Sequence, residues 1–329
     1  MALACFPDTQ LQGYKRHALH DSERAWPETN CYVDVWIEVL SQLKLPPEAA
    51  LAFTVTQDFE GDQLTFFKYP LEDLEAIYGI KVQELAIFDD VAEHIAIQIQ
   101  RNRLCLVEMD SFYMPDTHGV AYGIEHGKTT VAINRLNIAA KTMEYFHNGG
   151  YFGLEGADFD GVFQKNAQDV LFLPYTEFAK FDDLDKFDDV HGAKRLHQRS
   201  LKLLAHHLAR RPKHNPIAAF SGVFAVQASA LTEKPEGFFH KYAFNTLRQM
   251  GANFALLADY LRWLAANGEK DLSGAIESAD KIADTAKVVQ FQLARAVARR
   301  KFDTLGATLE PAIAAWELTL GLLASRYGG

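Results

Sequence analysis

Among three cysteines and twelve histidines, Cys31 and His126 stand out by position. Cys31 opens a run in which Val33, Trp36, Ile37, Leu40 and Leu43 recur at i, i+3, i+4, i+7 and i+10, the spacing of an amphipathic helix. Thr29 or Asn30 stands where the N-cap belongs. A thiol in the first helical turn meets unpaired backbone N–H groups and the positive end of the helix dipole, and both favour the thiolate. His126, within Tyr122-Gly123-Ile124-Glu125-His126-Gly127, immediately precedes the strand-like run Thr129–Ile133. Asn148 follows at the end of the next strand-like run. A thiol nucleophile needs a base, and the base needs an acceptor that fixes its ring and tautomer. The order therefore casts Cys31 as nucleophile, His126 as base and Asn148 as the residue that orients the ring.

Plain structural readings compete with each assignment. A cysteine at a helix start is often a small buried residue, histidine is common in loops, and Asn-Gly is the preferred two-residue hairpin turn. Asp110, Asp116, Glu144 and Asp158 are rival acceptors for the third role. The Cys31 backbone N–H, with Asn30 or Thr29 as a second donor, would form the oxyanion hole. Asn30, Asp110, Tyr113 and Asp116 are the candidate substrate-binding residues.

These side chains must be positioned by an α+β domain. Pro46-Pro47 stops the helix that starts at Cys31, a short helix is expected over Leu71–Tyr78, a strand over Ile80–Leu85 and a helix around Asp90–Gln100. Leu104–Val107 is a continuous apolar run, read as a buried strand that empties into the loop Asp110-Ser111-Phe112-Tyr113-Met114-Pro115-Asp116. Thr129–Ile133, Thr142–Phe146 and Tyr151–Leu154 then form an antiparallel meander turning at Asn148-Gly149. After about residue 165 strand signals fade, and helical patterns fill Gly192–Arg211, Glu236–Asn267, Leu272–Arg300 and Leu305–Tyr327. The expected division is a catalytic domain at 1–165 and an all-helical domain at 166–329, the boundary falling within 160–190, where Phe181–Val190 forms an acidic connector.

With 43 acidic against 33 basic side chains, a net charge of −10 disfavours a nucleic-acid partner. No apolar run reaches the ~18–20 residues that span a bilayer, and Met1-Ala2-Leu3-Ala4-Cys5 lacks the hydrophobic segment of a lipoprotein signal. Cys5, Cys31 and Cys105 are odd in number and lack CxxC spacing, so a cytoplasmic, reducing compartment is expected. His191, His197, His206, His207 and His214 form no ligand motif, the glycines at 149, 150, 153 and 156 form no phosphate loop, and Asp58–Asp62 is no calcium loop. Lys194, Arg195, Arg199, Lys202, Arg210, Arg211 and Lys213 concentrate positive charge, which suits an acidic protein or a phosphate, or else is a solvated helix face. Phe238-Phe239-His240-Lys241-Tyr242 reads as helix packing rather than a cofactor box.

The runs Asn30–Glu38, Met109–Thr117, His126–Thr130 and Tyr145–Asn148 resemble a bacterial family catalogued as a domain of unknown function, over nearly the whole chain. More distantly, the first half resembles the papain-like N-terminal domain of the butirosin-biosynthesis aminoacyltransferase. Cys31, Asp110 to Pro115 and His126 stand where that group has its helix-opening cysteine, its acidic aromatic loop and its histidine. Tyr32-Val33 replaces the Gly-Pro common there, and Asn148 stands where an aspartate is usual. The resemblance implies that Cys31 attacks an aminoacyl thioester, His126 handles protons and an amine resolves the acyl-enzyme. It implies an acyl carrier protein as partner, a phosphopantetheine arm bearing the donor, and no metal or organic cofactor. A thiol peptidase or amidase, and a binding protein without turnover, are the alternatives.

Overall fold

The computed structural model describes residues 3–165, 173–187, 189–235 and 237–328. Met1-Ala2 of the signal-like start, Asp188 of the acidic connector and Glu236 of the second helical pattern lie outside the described residues, as does the stretch just after the expected boundary at 165. The chain is mixed α+β and forms two compact units that do not follow chain order. One holds 3–22, 30–47, 70–165 and 173–186; the other holds 23–29, 48–69 and the described residues of 187–328.

The first unit is built on an antiparallel seven-stranded sheet. Its strands are β1 (Leu3–Ala4), β2 (Lys81–Glu84), β3 (Leu104–Asp110), β4 (Lys128–Asn137), β5 (Thr142–His147), β6 (Gly150–Glu155) and β7 (Thr176–Lys180), in the order β2-β7-β3-β4-β5-β6 with β1 on β4. Helices α1 (Cys31–Gln42), α2 (Leu71–Tyr78), α3 (Val91–Gln100) and α4 (Ala157–Val162) accompany it. α1 forms where the apolar spacing places it, and Asn30 caps it, its Oδ1 accepting from Val33 N at 3.0 Å. Val33, Trp36, Ile37 and Leu40 are fully buried. α2 ends at Gly79 in the left-handed conformation, where a Cβ would lie 2.1 Å from the Asp183 carbonyl oxygen, so glycine is required.

Register decides what shares a face. Leu106 pairs with Ala132 and with Glu177, Glu108 with Thr130 and Asp110 with Lys128, so by strand alternation these side chains lie on one face. Tyr32, in the first turn of α1, donates its hydroxyl to Glu177 Oε2 at 2.9 Å. That bond puts the start of α1 on the face bearing Asp110. Thr129, Val131, Tyr145 and His147 belong to the opposite face.

The strand β7 lies beyond residue 165, where the sequence pattern suggested helices alone. The second unit is helical: α5 (Val190–Ala209), α6 (Pro216–Ala230), α7 (Phe238–Ala243), a π-helical turn (Phe244–Arg248), α8 (Gln249–Ala266), α9 (Ser273–Arg299) and α10 (Glu310–Tyr327). Among the described residues no helix is long and apolar enough to cross a membrane.

Candidate functional site

Cys31 is the first residue of α1 and is half-buried, whereas Cys5 and Cys105 are buried. Burial pushes the Cys5 thiol up to about 12 and raises that of Cys105 further. Of the three cysteines, Cys31 is the most exposed. Asn30 is buried, and its side-chain oxygen is engaged in the cap.

His126 sits on the short turn between the Asp110 loop and β4. Its Nδ1 lies 2.5 Å from Asp110 Oδ2, and its ring stacks on Phe112 with centroids 4.3 Å apart and planes 13° apart. Asp110 is itself held, because its Oδ1 accepts from Phe112 N at 3.0 Å and Gly127 N at 3.2 Å. A carboxylate fixed by two backbone donors, with its other oxygen on an imidazole, is the arrangement that sets a general base. The ring is 66% exposed, and its Nε2 makes no hydrogen bond among the described residues. Tyr113 lies beside it, ring centroids 6.1 Å apart, and packs so tightly on Gly161 that a Cβ there would fall 2.2 Å from the Tyr113 ring.

The carboxylate against His126 is thus Asp110, one of the rival acceptors, and Asn148 does not reach the ring. Asn148 takes a positive φ of 46° in the β5–β6 turn and has no hydrogen bond to His126. The other rivals have different partners. Glu144 binds Arg135 and Tyr151, and Asp158 accepts from the Tyr122 hydroxyl at 3.0 Å. The Asp116 side chain is buried, with Oδ1 accepting from the Tyr145 hydroxyl and Oδ2 2.5 Å from His147 Nδ1. No hydrogen bond joins the Cys31 thiol to the His126 ring among the described residues.

Residues 15–181 match the model of the DUF1839 N-terminal domain, and residues 193–325 match that of the DUF1839 C-terminal domain. The chain belongs to the DUF1839 family. A search of curated proteins returned no match. The N-terminal match ends at 181, just after β7, and takes in every strand from β2 to β7, whereas the C-terminal match begins at 193, within α5.

The order of the candidate residues did not point to a buried network that α1 carries. His20 Nδ1 lies 2.5 Å from Glu38 Oε1 and His20 Nε2 3.2 Å from Asp34 Oδ1, all three side chains fully buried. Tyr14 donates to Glu38, and the His17 N–H donates to it at 2.9 Å. Burial alone would lower the imidazole's proton affinity, but the two carboxylates outweigh it and push the pKa up to about 9. Gly149 makes room for this ring, since a Cβ there would lie 2.7 Å from His20 Cγ. The available signal was a pair of carboxylates, Asp34 and Glu38, at i and i+4 on a helix whose other neighbours are apolar. Among the described residues, no group of three or more His, Cys, Asp and Glu side chains is arranged to hold a metal ion.

Proposed function

We propose that this DUF1839 chain is a thiol enzyme of papain-like design that transfers an acyl or aminoacyl group from a thioester to an amine. The observation that carries the reading is the Asp110–His126 pair, held by two backbone donors and left with an open Nε2, on a sheet whose Asp110-bearing face receives the start of α1. Cys31 is the nucleophile, His126 the general base and then acid, and Asp110 the residue that orients the ring. Asp116 holds the loop that carries Tyr113 rather than contacting substrate, and Asn148 shapes the turn. Tyr113, beside His126, borders the substrate.

In the reaction the Cys31 sulfur attacks the thioester carbonyl, and the donor thiol leaves with a proton returned through His126. The acceptor amine then attacks the Cys31 thioester, loses its proton to His126 and releases Cys31. Each step exchanges one acyl bond for another, with no net redox change and no requirement for a metal or organic cofactor. The missing thiol–imidazole bond fits a site that tightens on engaging its donor, as catalytic hydrogen bonds often do. The donor would arrive on the phosphopantetheine arm of a carrier protein. A cytoplasmic location accords with three unpaired thiols.

The test is intact mass after incubation with aminoacyl thioesters of a carrier protein, with Cys31→Ala alongside. An adduct that needs Cys31 and discharges onto added amines supports transfer, and discharge to water alone reassigns the chain as a hydrolase. No adduct from any donor, with Cys31 alkylated no faster than Cys105, contradicts the enzyme.

A further inference from the structure

The long helix α9 has two faces of different kinds. Ile282, Ala286, Val289 and Leu293 are buried on the side that packs against α8 and α10. On the other side Lys281, Asp284, Val288, Phe291, Arg295 and Arg299 follow one another at steps of three or four residues, so they form a single line along the helix, and all six are exposed. Val288 is 54% and Phe291 63% exposed. Arg300, with a left-handed φ of 51°, and Lys301 stand where α9 ends and extend the basic end of this line. Among the described residues, none of Arg295, Arg299, Arg300 and Lys301 forms an ion pair. Asp303 is the next carboxylate along the chain. The negative end of the α9 dipole accounts for basic side chains in the last turn. It does not account for a phenylalanine and a valine left in water one and two turns before them.

We propose that this line docks α9 on an anionic lipid surface, with Phe291 and Val288 entering the headgroup–acyl boundary and Arg295, Arg299, Arg300 and Lys301 meeting the lipid phosphates. Apolar side chains beside clustered arginine and lysine on one exposed helix face are the pairing by which a helix lies in the plane of a bilayer interface. Shape selects lipid over an acidic protein. A helix face is convex, and a side chain that stands out from it is buried only by a partner that moulds around it, as a fluid acyl layer does. The net charge of −10 on the whole chain does not oppose the contact, because at physiological salt charges beyond the ~8 Å Debye length are screened and the four cations act locally. The docking is peripheral, since among the described residues no helix is long and apolar enough to cross a membrane. Nothing in this argument depends on Cys31 or on the acyl-transfer reading.

The experiment is co-sedimentation of the full chain with vesicles at physiological salt, comparing phosphatidylcholine alone with an equal mixture of phosphatidylcholine and phosphatidylglycerol. Binding to the mixed vesicles is expected, at least ~10-fold tighter than to phosphatidylcholine alone. Arg295→Glu with Arg299→Glu should weaken it at least ~10-fold, because each cation near an anionic surface contributes separately. Phe291→Ser should weaken it at least ~5-fold through the lost apolar insertion. All three positions are exposed, and unchanged melting midpoints would show that the variants keep the fold. No binding to the mixed vesicles, equal binding to both kinds, or full binding by the double arginine variant would each overturn the proposal. Wild-type binding by Phe291→Ser would overturn it as well, and would reassign the four cations to an acidic macromolecule in solution.

Discussion

Two Asp–His pairs lie in the sheet unit with the same atoms in contact at the same 2.5 Å, Asp110–His126 and Asp116–His147. They differ in burial and in what the far nitrogen meets. His147 is 2% exposed and its Nε2 lies 2.7 Å from Thr129 Oγ1, so every polar atom of the ring is spent inside the protein. The His126 side chain is 66% exposed, and its Nε2 has no hydrogen-bond partner among the described residues. Identical pair chemistry therefore serves two ends. A saturated, buried pair pins the Pro115–Thr117 loop to β5, whereas the half-saturated pair leaves the nitrogen that the proposed mechanism would use for proton transfer.

The largest expected effect separates the pairs by rate. Asp110→Asn should slow Cys31-dependent acyl transfer by ~10³–10⁴-fold, since the ring loses its tautomer and orientation, while thermal unfolding stays near wild type. Single-turnover kinetics beside a melting curve would check it. Asp116→Asn should do the reverse, costing on the order of 3–5 kcal/mol because buried partners are left unmatched, as urea unfolding would read. Equal stability losses in the two variants would erase the distinction drawn here.

A third histidine extends the contrast by pH. His20 has a folded pKa raised to about 9 against an unfolded value of 6.5, so its protonated pairing with Asp34 and Glu38 stabilises the fold fully below pH 6.5 and is lost as pH rises through about 9. Glu38 is shifted oppositely: burial works against it, but the His20 contacts prevail and hold it below the ordinary carboxylate range, so its contribution is lost under acid conditions. Unfolding midpoints should therefore fall between pH 7 and 9.5, and the fall should flatten in His20→Gln. The smallest effect belongs to Asn148. Its φ of 46° suits glycine, so Asn148→Gly should change stability by under ~1 kcal/mol and leave transfer unaffected. A 100-fold loss of rate would restore Asn148 as the orienting residue.

Much of the frame was legible because periodicity records it. The apolar spacing from Val33 to Leu43 located α1, and the meander through β4, β5 and β6 followed from alternation and Asn-Gly. β7 escaped because its second residue is Glu177, a buried carboxylate that breaks the apolar pattern and to which Tyr32 and Tyr175 donate. α6 escaped because it is apolar almost all round and offers no stripe, although Asn215 as cap and Pro216 at its first position were signals. For the proposed site, position alone nominated Cys31 and His126. The choice between Asp110 and Asn148 could not, because a carboxylate at a strand end and an asparagine in a turn each have ordinary roles. Only the backbone donors from Phe112 and Gly127 set Asp110 against the imidazole.

The central claim is that His126, held by Asp110, acts on the thiol of Cys31. The rate of Cys31 alkylation by iodoacetamide across pH 5–10, in wild type and in His126→Ala, tests it most directly. A coupled pair predicts fast labelling of Cys31 alone, with a low-pH limb that His126→Ala shifts upward and slows at least ~10-fold as the thiolate loses its partner. Superimposable profiles from the two proteins would contradict it.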